Sequence, residues 1–287
     1  MTPVLLACGS AASFGAMTVA LRLGLRRTPD ARLATVATLA SALTVAVFGA
    51  AAGAAGSGDL EVAGTWPFFL AGILAPGGSQ ILFTLAVREA GPSRTSVAVG
   101  SAPLVSVAIA VLVLGEPASA PLLGGAVLVV AGGVLLVGET GRPGHVRRVG
   151  LVYAVLAAVL FASRDNLVRA LSEASDAVPA GTAVAATLLS GTIVALLWRL
   201  GGQRRAGVRD ALPFVPAGVC FGLSYLLLFE AYYRGRVTVV SPLVATESLW
   251  GVVLAVVLLR RSELVGGRLF AGAALVVAGG MLIGLTR

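Results

Sequence analysis

The sequence predicts an all-α integral membrane protein, with ten transmembrane helices arranged as two inverted five-helix repeats. Three observations predict it. Hydrophobic residues fill 57% of the 287 positions and charged residues only 12%; with a mean hydropathy of +0.97, a soluble domain could not cover its surface. The apolar residues gather into runs of about 20, the length of a bilayer-crossing helix. The hexapeptide Leu-Val-Val-Ala-Gly-Gly occurs at 128–133 and again at 275–280.

Span one, 3–22, follows an N-terminus without a basic n-region, so it reads as a retained helix and not a cleaved signal. Span two is 33–54. Span three, 66–86, contains Pro76, Gly77 and Gly78, residues that kink a helix and expose carbonyls. Span four, 93–115, holds Pro103, and the glycine-rich span five covers 119–138. Spans six to ten follow at 149–170, 178–199, 211–232, 237–259 and 264–285, with Pro242 in span nine. Helices are the expected form, because lipid cannot satisfy free backbone groups. The runs do not alternate as barrel strands would.

A shared register tests the duplication. At the same offset of 147, Gly125 matches Gly272, Leu122 matches Leu269, Glu116 matches Glu263, Phe14 matches Phe161 and Arg22 matches Arg169. Between spans three and four the offset becomes 145, pairing Ala86 with Ala231 and Pro103 with Ser248. The halves are therefore 1–148 and 149–287. Five spans per half, an odd number, turn the second copy upside down.

The net charge of +8 comes from 21 arginines without a lysine. Sixteen of them, from Arg22 to Arg268, follow odd-numbered spans, against four on the other side (Arg169, Arg234, Arg236 and Arg287). The positive-inside rule then leaves both termini outside. Arginines between spans point to topology and lipid head groups, not to nucleic acid. Cys8 and Cys220 lie in apolar runs and read as packing residues.

Three stretches carry a family likeness. They are LAVREAGPSRTSVAVGSAPLVSVAIAVLVLGE at 85–116, LLGGAVLVVAGGVLLVG at 122–138, and a weaker second copy spread over 229–259 and 271–284. Together they resemble the EamA-like branch of the drug/metabolite transporter superfamily. In the second copy Ser248 stands where the mid-span proline would be, and Arg260-Arg261-Ser262-Glu263 replaces the Gly-Glu ending. The resemblance implies a ten-helix carrier of the bacterial inner membrane, exporting a small metabolite, amino acid or drug-like compound between two five-helix bundles.

Ionisable groups at membrane depth are costly, so each needs a reason. Glu247 lies about ten residues into span nine, near the midplane. It reads either as a structural carboxylate or as the proton-linked group of a central site; the resemblance, with an acidic residue just before the mid-span position, favours the second. Trp250, one turn on, would wall a substrate or merely pack. Glu230 either pairs with Arg234 at i,i+4 or reaches the cavity beside Tyr225 and Tyr232. In span six, Asp165 can pair with Arg169, and Asn166 lies beside it. Arg164 has no obvious local partner; turned inward it would bind a substrate carboxylate or a buried glutamate. Gln80 would hydrogen-bond a ligand or a neighbouring helix. Pro76, Pro103 and Pro242 are candidate hinges. The small residues of spans five and ten form a scaffold or dimer face.

His145 is the one histidine, and no Cys/His cluster has metal-ligand spacing. No phosphate loop ends in Gly-Lys-Ser/Thr. The sequence thus predicts neither metal nor cofactor and not an enzyme. A channel and a lipid-handling membrane enzyme are the rival readings. The expected partners are a small-molecule substrate, protons and membrane lipid.

Overall fold

The computed structural model describes the backbone of residues 2–57, 63–102, 104–105, 108, 119–137, 147–174, 178–202, 207–234, 240, 243–244, 246–259 and 266–284. Helices α1 (Thr2–Arg27) and α2 (Ala31–Ser57) form spans one and two. Span three is α3 (Trp66–Gly72), a π segment (Ile73–Gly78) and α4 (Ser79–Ala90). Span four opens with α5 (Pro92–Val99). Then come α6 (Ala120–Val137), α7 (Arg148–Ala174), α8 (Ala180–Leu200), α9 (Val215–Arg234), α10 (Glu247–Leu259) and α11 (Gly267–Gly284). A one-turn helix at Val208–Ala211 leads into α9. No strand occurs among the described residues.

Several helices outlast the hydropathy run that predicts them. α1 continues to Arg27 and α4 to Ala90, past Arg22 and Arg88. Arginine has high helix propensity, and its long stem lets the charge reach polar ground from inside the helix. Arg22 donates from Nη1 to the carbonyls of Val87 and Arg88 at 3.3 and 3.0 Å.

Among the described residues, five helical stretches are long and apolar enough to cross a membrane: Pro3–Arg27, Ala31–Ala55, Trp66–Ala90, Ala180–Leu200 and Val208–Arg234. α10 and α11 and the first part of α6 are apolar but shorter. The expected count of ten is not reached among the described residues: spans four, five, six, nine and ten are not among the five.

The helices pair across the halves. α1 packs on α9, α4 on α7, α2 on α8, α5 on α10 and α6 on α11. α2 also meets α9 while α3 and the π segment meet α8, and α1 meets α10 while α5 meets α7. Exchanging spans one to five with six to ten maps this set of pairs onto itself, the pattern of a two-fold axis.

The glycines of the repeated hexapeptide show its direction. A Cβ on Gly132 would stand 2.7 Å from the Gly272 carbonyl oxygen, and one on Gly279 would stand 2.6 Å from that of Gly125. Gly125 and Gly272 are counterparts, as are Gly132 and Gly279. Moving up α6 means moving down α11, so counterpart helices run antiparallel at backbone contact, which only small residues permit. Cys8 and Cys220 are both free.

Candidate functional site

Spans four and nine are broken at matching points. Ser101, in the turn after α5, donates its hydroxyl to the Ala98 carbonyl at 2.6 Å, and Thr246, in the turn before α10, donates to Leu243 O at 2.6 Å. Their backbone amides reach the same carbonyls at 3.2 and 3.1 Å, and the carbonyls of Ser101 and Thr246 themselves accept from the amides of Leu104 and Leu249, each at 3.0 Å. The pair stands 145 residues apart, the offset of that part of the repeat. A hydroxyl bonded back to the previous turn bends a helix only slightly, and Ser190 makes such a bond inside the unbroken α8; the breaks are marked by the three-residue backbone bonds. Around these breaks α5 and α10 cross closely: a Cβ on Gly100 would meet the Ser248 side chain, and one on Gly251 would meet that of Ser96.

The breaks were expected at Pro103 and Pro242, which lie outside the described residues. Glu247, expected in mid-helix, is instead the first residue of α10. The Thr246 turn puts it there, and a carboxylate on the first turn is favoured by the helix dipole. It is half-buried.

Spans one, three, six and eight bring aromatic rings together at the centre. Phe14 meets Phe83 at 5.3 Å, Phe161 at 5.9 Å and Phe221 at 6.1 Å, all edge to face. Phe221 meets Tyr225 at 4.6 Å. Such pairs add about 0.5–1.5 kcal/mol each beyond simple burial. The Arg164 guanidinium lies at the edge of this cluster, 4.8 Å from the Tyr225 ring and 5.7 Å from Phe161. It is 3% exposed. A buried cation over a ring gains about 2 kcal/mol or more, and the planar guanidinium keeps its donors in fixed directions.

Gln80 is fully buried on α4, and neither its Oε1 nor its Nε2 has a hydrogen-bond partner among the described residues. An unmade bond at a buried amide costs about 1–3 kcal/mol. Its counterpart at the 145 offset is Tyr225. Thr84, one turn along the same face, has an unpartnered hydroxyl too. The kink at Pro76 is present: Ala75 leaves helical geometry at φ −145°, ψ 120°. The bend packs on α8, where a Cβ on Gly191 would run into Pro76. α9, the counterpart of span three, has Phe221 at the matching place and runs unbroken.

Other expected residues stand apart from this cluster. Glu230 pairs with Arg234 Nε at 2.6 Å on a partly exposed face, the simpler of its two expected roles. Trp250 is 41% exposed; the base of its side chain faces α1, where a Cβ on Gly15 would stand 2.8 Å from Trp250 Cβ and 2.9 Å from its backbone carbon. The side chains of Asp165, Asn166 and Arg169 lie outside the described residues.

Each half of the chain matches one and the same family model, that of the EamA-like transporter family, at residues 1–138 and 148–285. The chain belongs to the EamA-like transporter family. This EamA-like protein is therefore a multi-pass membrane transporter of the drug/metabolite transporter superfamily. A solved structure titled "Crystal structure of protein" is similar in fold, with a TM-score of 0.70 and 20% identity, covering 98% of this chain and 95% of that one. No curated protein matches the chain.

Sequence reasoning passed over several residues of the EamA-like protein. Arg94 was counted among the loop cations, but it is fully buried inside α5. The signal was Gly91-Pro92: proline favours the first helical position, which places Arg94 inside the first turn. The central phenylalanines were hidden in uniformly apolar runs, although the Phe14–Phe161 match hinted at them.

Proposed function

We propose that this EamA-like protein is a secondary transporter working by alternating access, with ten spans built as inverted halves at 1–148 and 149–287. The observation that carries the reading is the paired break at Ser101 and Thr246. Interrupted helices at corresponding places in two inverted halves mark the binding region of secondary transporters. Rocking of one bundle against the other would then turn about spans four and nine.

The substrate reading follows from the surrounding groups. Arg164 offers a fixed cation, Gln80 an uncommitted amide donor and acceptor, and the phenylalanines an apolar wall. A small organic solute with an anionic group and an apolar body fits this set. Glu247 is the proposed proton-linked group, because its carboxylate sits at one of the two breaks. We place the protein in the bacterial inner membrane with both termini outside, from the arginine distribution, and take export as its direction by resemblance.

The test is transport in proteoliposomes. Flux of a panel of metabolites and drug-like compounds is measured with and without an imposed pH gradient, for the parent and for Glu247→Gln. Saturable flux, driven by the gradient in the parent and insensitive to it in the variant, is the expected result. Saturable flux indifferent to the gradient in both removes the proton role. Unitary current would make the protein a channel, and a covalent change in lipid would make it an enzyme.

A further inference from the structure

A cavity of about 460 Å³ opens where the ends of α2, α4 and α8 meet, away from the aromatic cluster, with Asp30, Arg32, Leu85, Arg88 and Trp198 in its wall. The Arg32 guanidinium lies over the Trp198 ring, 5.3 Å from its centroid. Its Nη1 is buried without a hydrogen-bond partner among the described residues. It is wedged beside Gly202, where a Cβ would stand 2.7 Å away. The neighbouring carboxylate is held by the backbone: Asp30 Oδ1 accepts the amides of Arg32 and Leu33 at 3.0 and 3.1 Å. Arg88 bonds Glu89 through Nε at 2.8 Å, but Glu89 is shared with Arg147 at 3.2 Å. Arg32, Arg88 and Arg147 thus stand against the two carboxylates of Asp30 and Glu89, leaving the cavity and its rim with one positive charge in excess.

The surroundings say which anion this is. Leu197 and Leu200, on either side of Trp198 and Arg199 at the end of α8, are 62% and 80% exposed. Apolar side chains so exposed at the end of a membrane helix face acyl chains. Tryptophan and arginine beside them mark the head-group level. We propose that this cavity binds the phosphodiester of an anionic phospholipid, with Arg32 and Arg88 on its oxygens and the acyl chains along the leucines of α8. The site is independent of the transport reading, because it shares no residue with the central cluster.

The experiment compares the whole protein in phosphatidylglycerol and in phosphatidylcholine, reading lipid retained in native mass spectrometry and the thermal midpoint. Inorganic phosphate is a separate arm. Phosphatidylglycerol is expected to be retained preferentially and to raise the midpoint. Arg32→Gln and Arg88→Gln should each weaken its binding about fivefold, the effect of one basic group near the head groups. If Arg32→Gln fails to fold in phosphatidylcholine, the partly exposed Arg88 carries the test. Equal retention of the two lipids, or undiminished retention in the variants, overturns the proposal. An equal midpoint shift from inorganic phosphate overturns the lipid assignment and leaves a free-anion site.

Discussion

Phe14 and Phe161 hold equivalent places in the two repeats, and they touch each other, edge to face at 5.9 Å. Counterparts in contact lie on the axis that exchanges the halves. The centre of the protein is therefore built from both copies of one ancestral position, and the groups that differ around it are where the halves have specialised. Gln80 faces the role that Tyr225 fills in the other copy. Arg164 stands where the first half has Met17, at the 147 offset.

Gln80→Leu should separate stability from transport. Replacing an unpartnered buried amide by an apolar side chain of similar size relieves about 1–3 kcal/mol. The thermal midpoint should rise while substrate flux falls. A drop in midpoint would show that the amide is already satisfied within the protein.

Arg164→Lys keeps the charge but loses the planar stack on Tyr225. Flux should fall on the order of tenfold, consistent with the directional role of a guanidinium. Tyr225→Phe keeps the ring and should retain most of the flux. Comparing apparent KM and maximal rate for the two variants checks this; equal loss in both would argue against the stack as the determinant.

The seam between α6 and α11 should tolerate no added methyl. Gly132→Ala and Gly279→Ala each force a backbone carbonyl away and should cost about 1–3 kcal/mol, read as a lower unfolding midpoint. Gly53→Ala is the control. Nothing lies within 4 Å of a Cβ there, and alanine should be neutral or stabilising by up to about 1 kcal/mol.

Ser10 and Ser224 exchange hydrogen bonds between α1 and α9: each hydroxyl reaches the other's carbonyl, at 2.9 and 3.1 Å, and the two hydroxyls bond each other at 3.1 Å. A double-mutant cycle to alanine should show coupling of about 0.6 kcal/mol, ordinary for hydroxyls between membrane helices. Ser79, at the counterpart position of Ser224, has a hydroxyl without a partner among the described residues, and Ser79→Ala should cost nothing. Zero coupling in the cycle would mean that the hydroxyls bond independently to backbone.

Much of this was legible from hydropathy. The spans at 33–54, 66–86 and 178–199 correspond to α2, the α3–α4 unit and α8 within a few residues. The small residues of spans five and ten pointed to close packing, but the repeat offset did not give the pairing: Gly132 meets Gly272 and Gly279 meets Gly125, crossed because the helices run antiparallel. The faces of the helices were not legible. A helix apolar all round gives no sign of which side meets lipid and which meets protein, so Phe83 and Phe221 in the core read like Leu197 on the outside. The breaks gave an uneven signal: proline is the loud mark of a kink, and Pro103 and Pro242 lie outside the described residues, while the turns at Ser101 and Thr246 carry no comparable mark in the sequence. Arg94 shows the same limit: its charge suggested a loop, while burial depends on partners that no local pattern reveals.

The pairing of helices has a consequence for how the chain is made. Each membrane helix finds its main partner in the opposite half, α1 with α9 and α6 with α11 among them. The first five helices therefore leave the ribosome with their inner faces unmatched, and they stay so until the second copy follows them into the bilayer. The repeat is a unit of ancestry and not a unit of assembly. A membrane chaperone that shelters polar, half-built helices would meet this protein at its midpoint, with Gln80 and Arg94 still waiting for the surfaces that bury them.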